Sequence, residues 1–138
     1  MISAPALRVF VTDDEAPARR KLLRFLAEEP GVMIAGETSN GPDTIAGVRD
    51  TCPDLLFLDI QMPGMDGLEV ARRIRQEERT LGTHTPVIAM TARAMGGDRE
   101  RCIEVGMDDY VSKPVSSKDL HQKIARHTKP AKGNSVLA

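Results

Sequence analysis

The chain has 138 residues, 41% hydrophobic and 28% charged, the size and make-up of one water-soluble globular domain, which excludes disorder throughout. Its 19 basic and 20 acidic residues leave a formal net charge of -1, so nothing draws it to nucleic acid. No apolar run approaches the roughly 20 residues that span a bilayer, and Met1 to Leu7 lack the basic-then-apolar order of a signal peptide. The expectation is a cytoplasmic domain without membrane insertion, free or as part of a membrane-anchored chain.

Short apolar runs alternate with amphipathic segments along the chain. Residues 7–11, with Val9, Phe10 and Val11, have the branched and aromatic make-up of a buried strand. From Glu15 to about Glu28, Ala18, Leu22, Phe25 and Leu26 recur at helical spacing, with Arg19, Arg20, Lys21 and Arg24 mainly on the other side. Residues 32–36 form a second strand candidate, and Asn40 before Gly41, Pro42 and Asp43 marks a helix entrance. Residues 54–58 are nearly all apolar and predict a strand buried on both faces. Asp66 and Glu69 have capping-box spacing and open a helix to about Glu77, followed by a polar loop over 79–85. A fourth strand over 86–90, a helix over 94–105 and a fifth strand over 109–112 follow. Ser116 and Asp119 then open a last helix carrying Leu120 and Ile124. The domain is expected to occupy 1–128, with 129–138 a disordered tail.

This (βα) pattern, repeated five times, predicts an α/β fold, because parallel strands need crossover helices on both faces. Right-handed crossovers make it a doubly wound sheet, whose ligands sit at the carboxyl ends of the strands. Those ends carry a coherent set. Asp13, Asp14 and Glu15 follow the first strand, Asp59 the third, Thr91 the fourth, and Lys113 with Pro114 the fifth. Clustered carboxylates repel one another unless a cation joins them. With oxygen ligands alone the expected ion is Mg2+, or Mn2+. Asp59 is then the natural nucleophile for a phosphoryl group, with Thr91 and Lys113 as partners for its oxygens.

The stretches Val11-Thr12-Asp13-Asp14-Glu15, Leu58-Asp59-Ile60-Gln61-Met62-Pro63-Gly64-Met65-Asp66-Gly67, Ala89-Met90-Thr91-Ala92 and Asp109-Tyr110-Val111-Ser112-Lys113-Pro114 resemble the receiver domain of two-component response regulators. The resemblance covers residues 7 to about 127, and its second half is similar to receivers of hybrid sensor histidine kinases. It implies a flavodoxin-like five-stranded sheet of order 2-1-3-4-5. It implies Asp59 as phosphoacceptor and Asp13, Asp14, Asp59 and the Gln61 backbone carbonyl as Mg2+ ligands, Asp13 through water. Thr91 and Lys113 would hold phosphoryl oxygens, the Lys113–Pro114 bond would be cis, and Thr91 and Tyr110 would form the switch. Gln61 and Arg93 occupy positions that tune dephosphorylation. The implied partners are a sensor histidine kinase or histidine phosphotransfer domain and a downstream protein or fused output domain, with dimerisation open. Thr12 departs from the family's usual apolar residue and is expected to loosen strand packing slightly.

Two features keep alternatives open. The basic residues of the first helix read as a solvated face or as a docking surface for the phosphodonor. An Asp nucleophile with Mg2+, Thr and Lys also suits a haloacid-dehalogenase-like phosphatase, but the second acid such an enzyme needs is replaced by Gln61. An FMN module is disfavoured because Asp13-Asp14-Glu15 would repel its phosphate. Cys52 and Cys102 have no metal-ligand neighbours and read as reduced core or helix-face residues. No two of His84, His121 and His127 are spaced to share a metal on a helix.

Overall fold

The computed structural model describes residues 6–92 and 97–128. Strands and helices alternate as β1 (Leu7–Thr12), α1 (Ala16–Ala27), β2 (Val32–Thr38), α2 (Gly41–Thr51), β3 (Leu55–Asp59), α3 (Gly67–Leu81), β4 (Val87–Thr91), α4 (Asp98–Glu104), β5 (Asp109–Ser112) and α5 (Ser117–Thr128). All neighbouring strands are parallel, in the order β2-β1-β3-β4-β5. The winding reverses between β1 and β3, so their carboxyl ends flank the switch point of the sheet.

Alternation along the strands divides the core in two. Val9, Val11, Leu55, Phe57, Ile88 and Met90 face Leu22 and Leu26 of α1 and Leu120 and Ile124 of α5. Phe10, Leu56, Leu58, Val87 and Ala89 face Ile45, Val48, Leu68, Val70, Ile74 and Cys102 on the other helices. All of β3 and β4 is buried, as their unbroken apolar runs predict. Each fully buried Leu or Phe contributes roughly 1.5–3 kcal/mol.

The three caps read from the sequence are made. The side chains of Asn40, Asp66 and Ser116 accept from the backbone N–H of Asp43, Glu69 and Asp119 at 2.8, 3.0 and 3.1 Å. α3 differs from expectation: it continues through Glu78, Arg79 and Thr80 to Leu81 and stops at Gly82, whose φ is 71°. The extra turn exists because Glu78 is not a loop residue. It is buried, pairs with Arg75 at 2.6 Å and accepts the Thr85 N–H at 2.6 Å. Arg75 also binds Asp108 at 2.9 Å and the carbonyls of Thr85 and Gly106, fastening α3 to the loops that enter β4 and β5.

α4 also differs. Gly97 is its N-cap with φ 92°, a left-handed conformation that no helix interior contains, so α4 starts at Asp98; the expected start at Ala94 lies outside the described residues. Arg93 and the tail 129–138 lie outside the described residues. Cys102 is buried, and burial raises its thiol to about 11, so it is protonated and inert. Cys52 is neither a core nor a helix-face residue: it is exposed, at the C-cap of α2, with φ 48°. Thr12 does not loosen the packing, because its buried hydroxyl meets those of Thr38 and Thr44 at 3.0 and 2.8 Å.

Candidate functional site

The strand ladders bring the predicted residues to one rim. Thr12 at the end of β1 is in register with Leu58, so the acidic pair that follows it stands beside Asp59. Asp59 closes β3 opposite Met90, and Thr91 closes β4 opposite Ser112. Lys113 then donates its backbone N–H to the Thr91 carbonyl at 2.7 Å, which carries its side chain back over the rim. The Lys113–Pro114 bond is cis.

Carboxylate oxygens of Asp13, Asp14 and Asp59 lie within 4.8 Å of one another. Asp13 and Asp59 are buried and Asp14 is half-buried. Lys113 Nζ sits 3.0 Å from Asp13 Oδ2, 3.4 Å from Asp59 Oδ2 and 3.7 Å from Glu15 Oε1. Burial pushes the Asp59 carboxyl up to about 7, against the Gln61 backbone N–H and the Lys113 charge, while Asp13 and Asp14 push it the same way as burial. Burial opposes the charge of Lys113, but its contacts with Asp13 and Asp59 outweigh that and raise its pKa.

The donor set fits a hard divalent cation: three carboxylates converge on one point with one ammonium beside them. Thr91 adds an independent sign. Its Oγ1 is buried and has no hydrogen-bond partner among the described residues. A buried hydroxyl left unpaired costs about 1–3 kcal/mol, and an oxygen of a bound phosphoryl group would satisfy it.

Gln61 donates its backbone N–H to Asp59 Oδ1 at 3.0 Å, and its side chain is exposed beside the rim. Tyr110 is half-buried on β5 and packs on the second core, with Arg99 and Lys123 5.2 and 5.6 Å from its ring centroid. Lys123 is in turn held by Asp109 at 2.9 Å.

Two supports of the site are not apparent in the sequence pattern. Arg19, which reads as part of a basic face, turns inward to donate to the Asp13 carbonyl at 2.7 Å while pairing with Glu37 at 2.8 Å. Of that group Arg20, Lys21 and Arg24 remain exposed, Lys21 and Arg24 lying against the Phe25 ring. Gly67 lets α3 start against the end of β3: a Cβ there would lie 2.5 Å from the Asp59 carbonyl oxygen. The capping box at Asp66 signals the helix start, but only the fold brings Asp59 against it.

The response regulator receiver domain matches this sequence over residues 9–125. The chain belongs to that family. It is 37% identical over 128 residues to the sensor histidine kinase GacS of Pseudomonas protegens, covering 92% of this chain and 14% of that kinase. It is 49% identical over 121 residues to hybrid signal transduction histidine kinase I of Dictyostelium discoideum, covering 85% of this chain and 7% of that protein. The receiver thus spans a small fraction of the length of these relatives. Its fold superposes with a TM-score of 0.75 on the receiver domain of the histidine kinase CKI1 from Arabidopsis thaliana, solved complexed with Mg2+ and BeF3-, at 28% identity over 87% of this chain and 88% of that one. Among the described residues no helix is long and apolar enough to cross a membrane.

Proposed function

We propose that this receiver accepts a phosphoryl group on Asp59 from the phosphohistidine of a sensor kinase or histidine phosphotransfer domain. The observation that carries this reading is the buried Thr91 hydroxyl, without a hydrogen-bond partner among the described residues, on the same rim as three convergent carboxylates and Lys113.

Asp59 supplies the nucleophilic oxygen. As the new O–P bond forms, the P–N bond to the donor imidazole breaks, and the imidazole leaves with the electron pair and takes up a proton. Asp13, Asp14 and Asp59, with the Gln61 carbonyl, would hold Mg2+. The ion, when bound, neutralises the charge that develops on the transferring oxygens. Lys113 balances a further oxygen as a point charge, and Thr91 donates its O–H to another. The CKI1 receiver complexed with Mg2+ and BeF3- supports this assignment of the cation.

The reading continues to the output. Thr91, drawn toward the phosphoryl group, leaves space into which Tyr110 turns, and the surface of α4, β5 and α5 changes for a downstream protein or fused output domain. The exposed Arg20, Lys21 and Arg24 on α1 flank the rim from which a phosphodonor helix approaches. Gln61 and Arg93 tune how fast water hydrolyses the acyl phosphate. The domain works on the cytoplasmic side, alone or within a longer kinase, and phosphorylation is the step at which it could dimerise.

The test is incubation with acetyl phosphate and Mg2+, followed by intact-mass measurement. The wild type gains one phosphoryl group and Asp59→Asn gains none. Labelling of Asp59→Asn to the same extent sinks the assignment, and steady turnover of an external phosphomonoester would point to a phosphatase instead.

A further inference from the structure

The carboxyl ends of β1 and β2 and the first turn of α2 meet at three threonine hydroxyls. Thr12 and Thr44 are 0% exposed, and Thr38 is half-buried. Thr44 Oγ1 donates to the carbonyl of Asn40, the cap of α2, at 2.6 Å. Its proton is thereby used, and its oxygen has only lone pairs to offer its neighbours. Two hydroxyl protons, those of Thr12 and Thr38, then face three oxygen–oxygen edges. The lengths decide which edge goes without. Thr38 to Thr44 is 2.7 Å and Thr12 to Thr44 is 2.8 Å, while Thr12 to Thr38 is the longest at 3.0 Å. Both strands therefore donate to Thr44, which passes one bond on to the helix cap.

This hub lies directly behind the acidic rim. Thr12 is the residue before Asp13, and the Thr38 carbonyl accepts the Asp13 N–H at 3.2 Å. Both residues that fix the Asp13 backbone from the β1 and β2 side are thus tied through their side chains to Thr44. We infer that Thr44 is a positioning residue for the cation site: its hydroxyl locks the ends of β1 and β2 onto α2 and so sets where the Asp13 and Asp14 carboxylates stand. Neither Thr44 nor Thr12 belongs to the three-carboxylate cluster itself. The inference rests on the functional reading above and adds a structural element to it.

Proton counting also selects the variants. In Thr12→Val, Thr38 still donates to Thr44 and Thr44 to Asn40, so no hydroxyl is stranded; a β-branched side chain of the same shape keeps the strand packed. That variant folds and cuts only the tie to β1. Thr44→Val removes the common acceptor, and Thr44→Ser retains it.

The experiment titrates each protein with Mn2+ and reads the free ion by its electron paramagnetic resonance signal, without any phosphoryl transfer. Thr44→Val and Thr12→Val weaken Mn2+ binding on the order of tenfold, the lower end for groups that orient a metal ligand from behind. Thr44→Ser binds like the wild type. Wild-type affinity in Thr12→Val, or a loss in Thr44→Ser equal to that in Thr44→Val, overturns the inference and reduces the cluster to core filling. A wild type that binds no Mn2+ overturns the functional reading and this one with it. A wild type that binds Mn2+ and is phosphorylated, with unchanged affinity in Thr12→Val, overturns this inference alone.

Discussion

Lys113 Nζ stands 3.4 Å from Asp59 Oδ2, reaching from the end of β5 to the end of β3, and it is closer still, at 3.0 Å, to Asp13 Oδ2. One ammonium thus neutralises part of a cluster of three carboxylates, two of which it shares with any cation bound there. Lysine and metal are therefore competitors for the rim and, on the function proposed above, partners around a phosphoryl group.

That competition has a measurable consequence. Lys113→Met leaves buried carboxylates without their counter-ion and lowers stability in the absence of divalent cations by about 2–3 kcal/mol. It also raises Mn2+ affinity, because the oxygens no longer have to be taken from an ammonium. Urea unfolding with a chelator, paired with an Mn2+ titration, checks both signs; a loss of affinity contradicts the competition.

The Asp59 carboxyl gives a pH dependence. Its folded pKa, raised by burial to about 7, lies above the unfolded value of about 3.9. The fold therefore favours the protonated form: this contribution is complete below about pH 4 and is lost as pH rises through 7. Asp59→Asn removes the liability. Without divalent metal it is expected to match the wild type near pH 4 and to exceed it by at least about 2 kcal/mol at pH 8, with Mg2+ narrowing the gap. Thermal unfolding of both proteins across that range, with and without Mg2+, measures it.

Gly67→Ala tests the close approach of α3 to the loop. Its Cβ would lie 2.5 Å from the Asp59 carbonyl oxygen and 2.6 Å from Ile60 Cα, both backbone atoms that cannot swing aside. A loss of about 2–3 kcal/mol is expected, together with slower labelling by acetyl phosphate because Asp59 itself must move. An alanine variant with wild-type urea midpoint and labelling rate would show that the loop yields freely.

Tyr110 is held by two cations, Arg99 at 5.2 Å and Lys123 at 5.6 Å from its ring centre, and Lys123 is anchored by Asp109. Arg99 is exposed, so its removal disturbs little else. On the switch reading proposed above, Arg99→Ala weakens the hold by about 0.5–1 kcal/mol and is expected to raise the population with Tyr110 turned inward by roughly two- to fivefold. Tyr110 ring chemical shifts in the unphosphorylated protein report that population; shifts that do not move from the wild-type values refute the clamp.

Much of this was legible in the residue order. The unbroken apolar runs at Leu55–Leu58 and Val87–Met90 require strands covered on both faces, and the caps at Asn40, Asp66 and Ser116 are local chemistry that the chain carries with it. Asp13, Asp14 and Lys113 follow strands and Asp59 and Thr91 end them, and parallel strands bring their carboxyl ends to one edge, so their convergence follows from the alternation itself. Elsewhere the contacts are long-range and no local pattern announces them. Glu78 is buried in an extended α3 beside Arg75, and Arg75 is held there by Asp108, 33 residues on. Arg19 sits in a basic run, yet only the placement of β2 turns it onto Glu37 and the Asp13 carbonyl. Thr12 reads as a flaw in a buried strand until Thr38 and Thr44, 26 and 32 residues away, supply its hydroxyl partners. The sequence by itself settled which groups the rim carries, because strand periodicity and strand ends are local properties. Only tertiary structure decided how those groups are held, because a buried charge or hydroxyl takes its meaning from whichever distant group is folded against it.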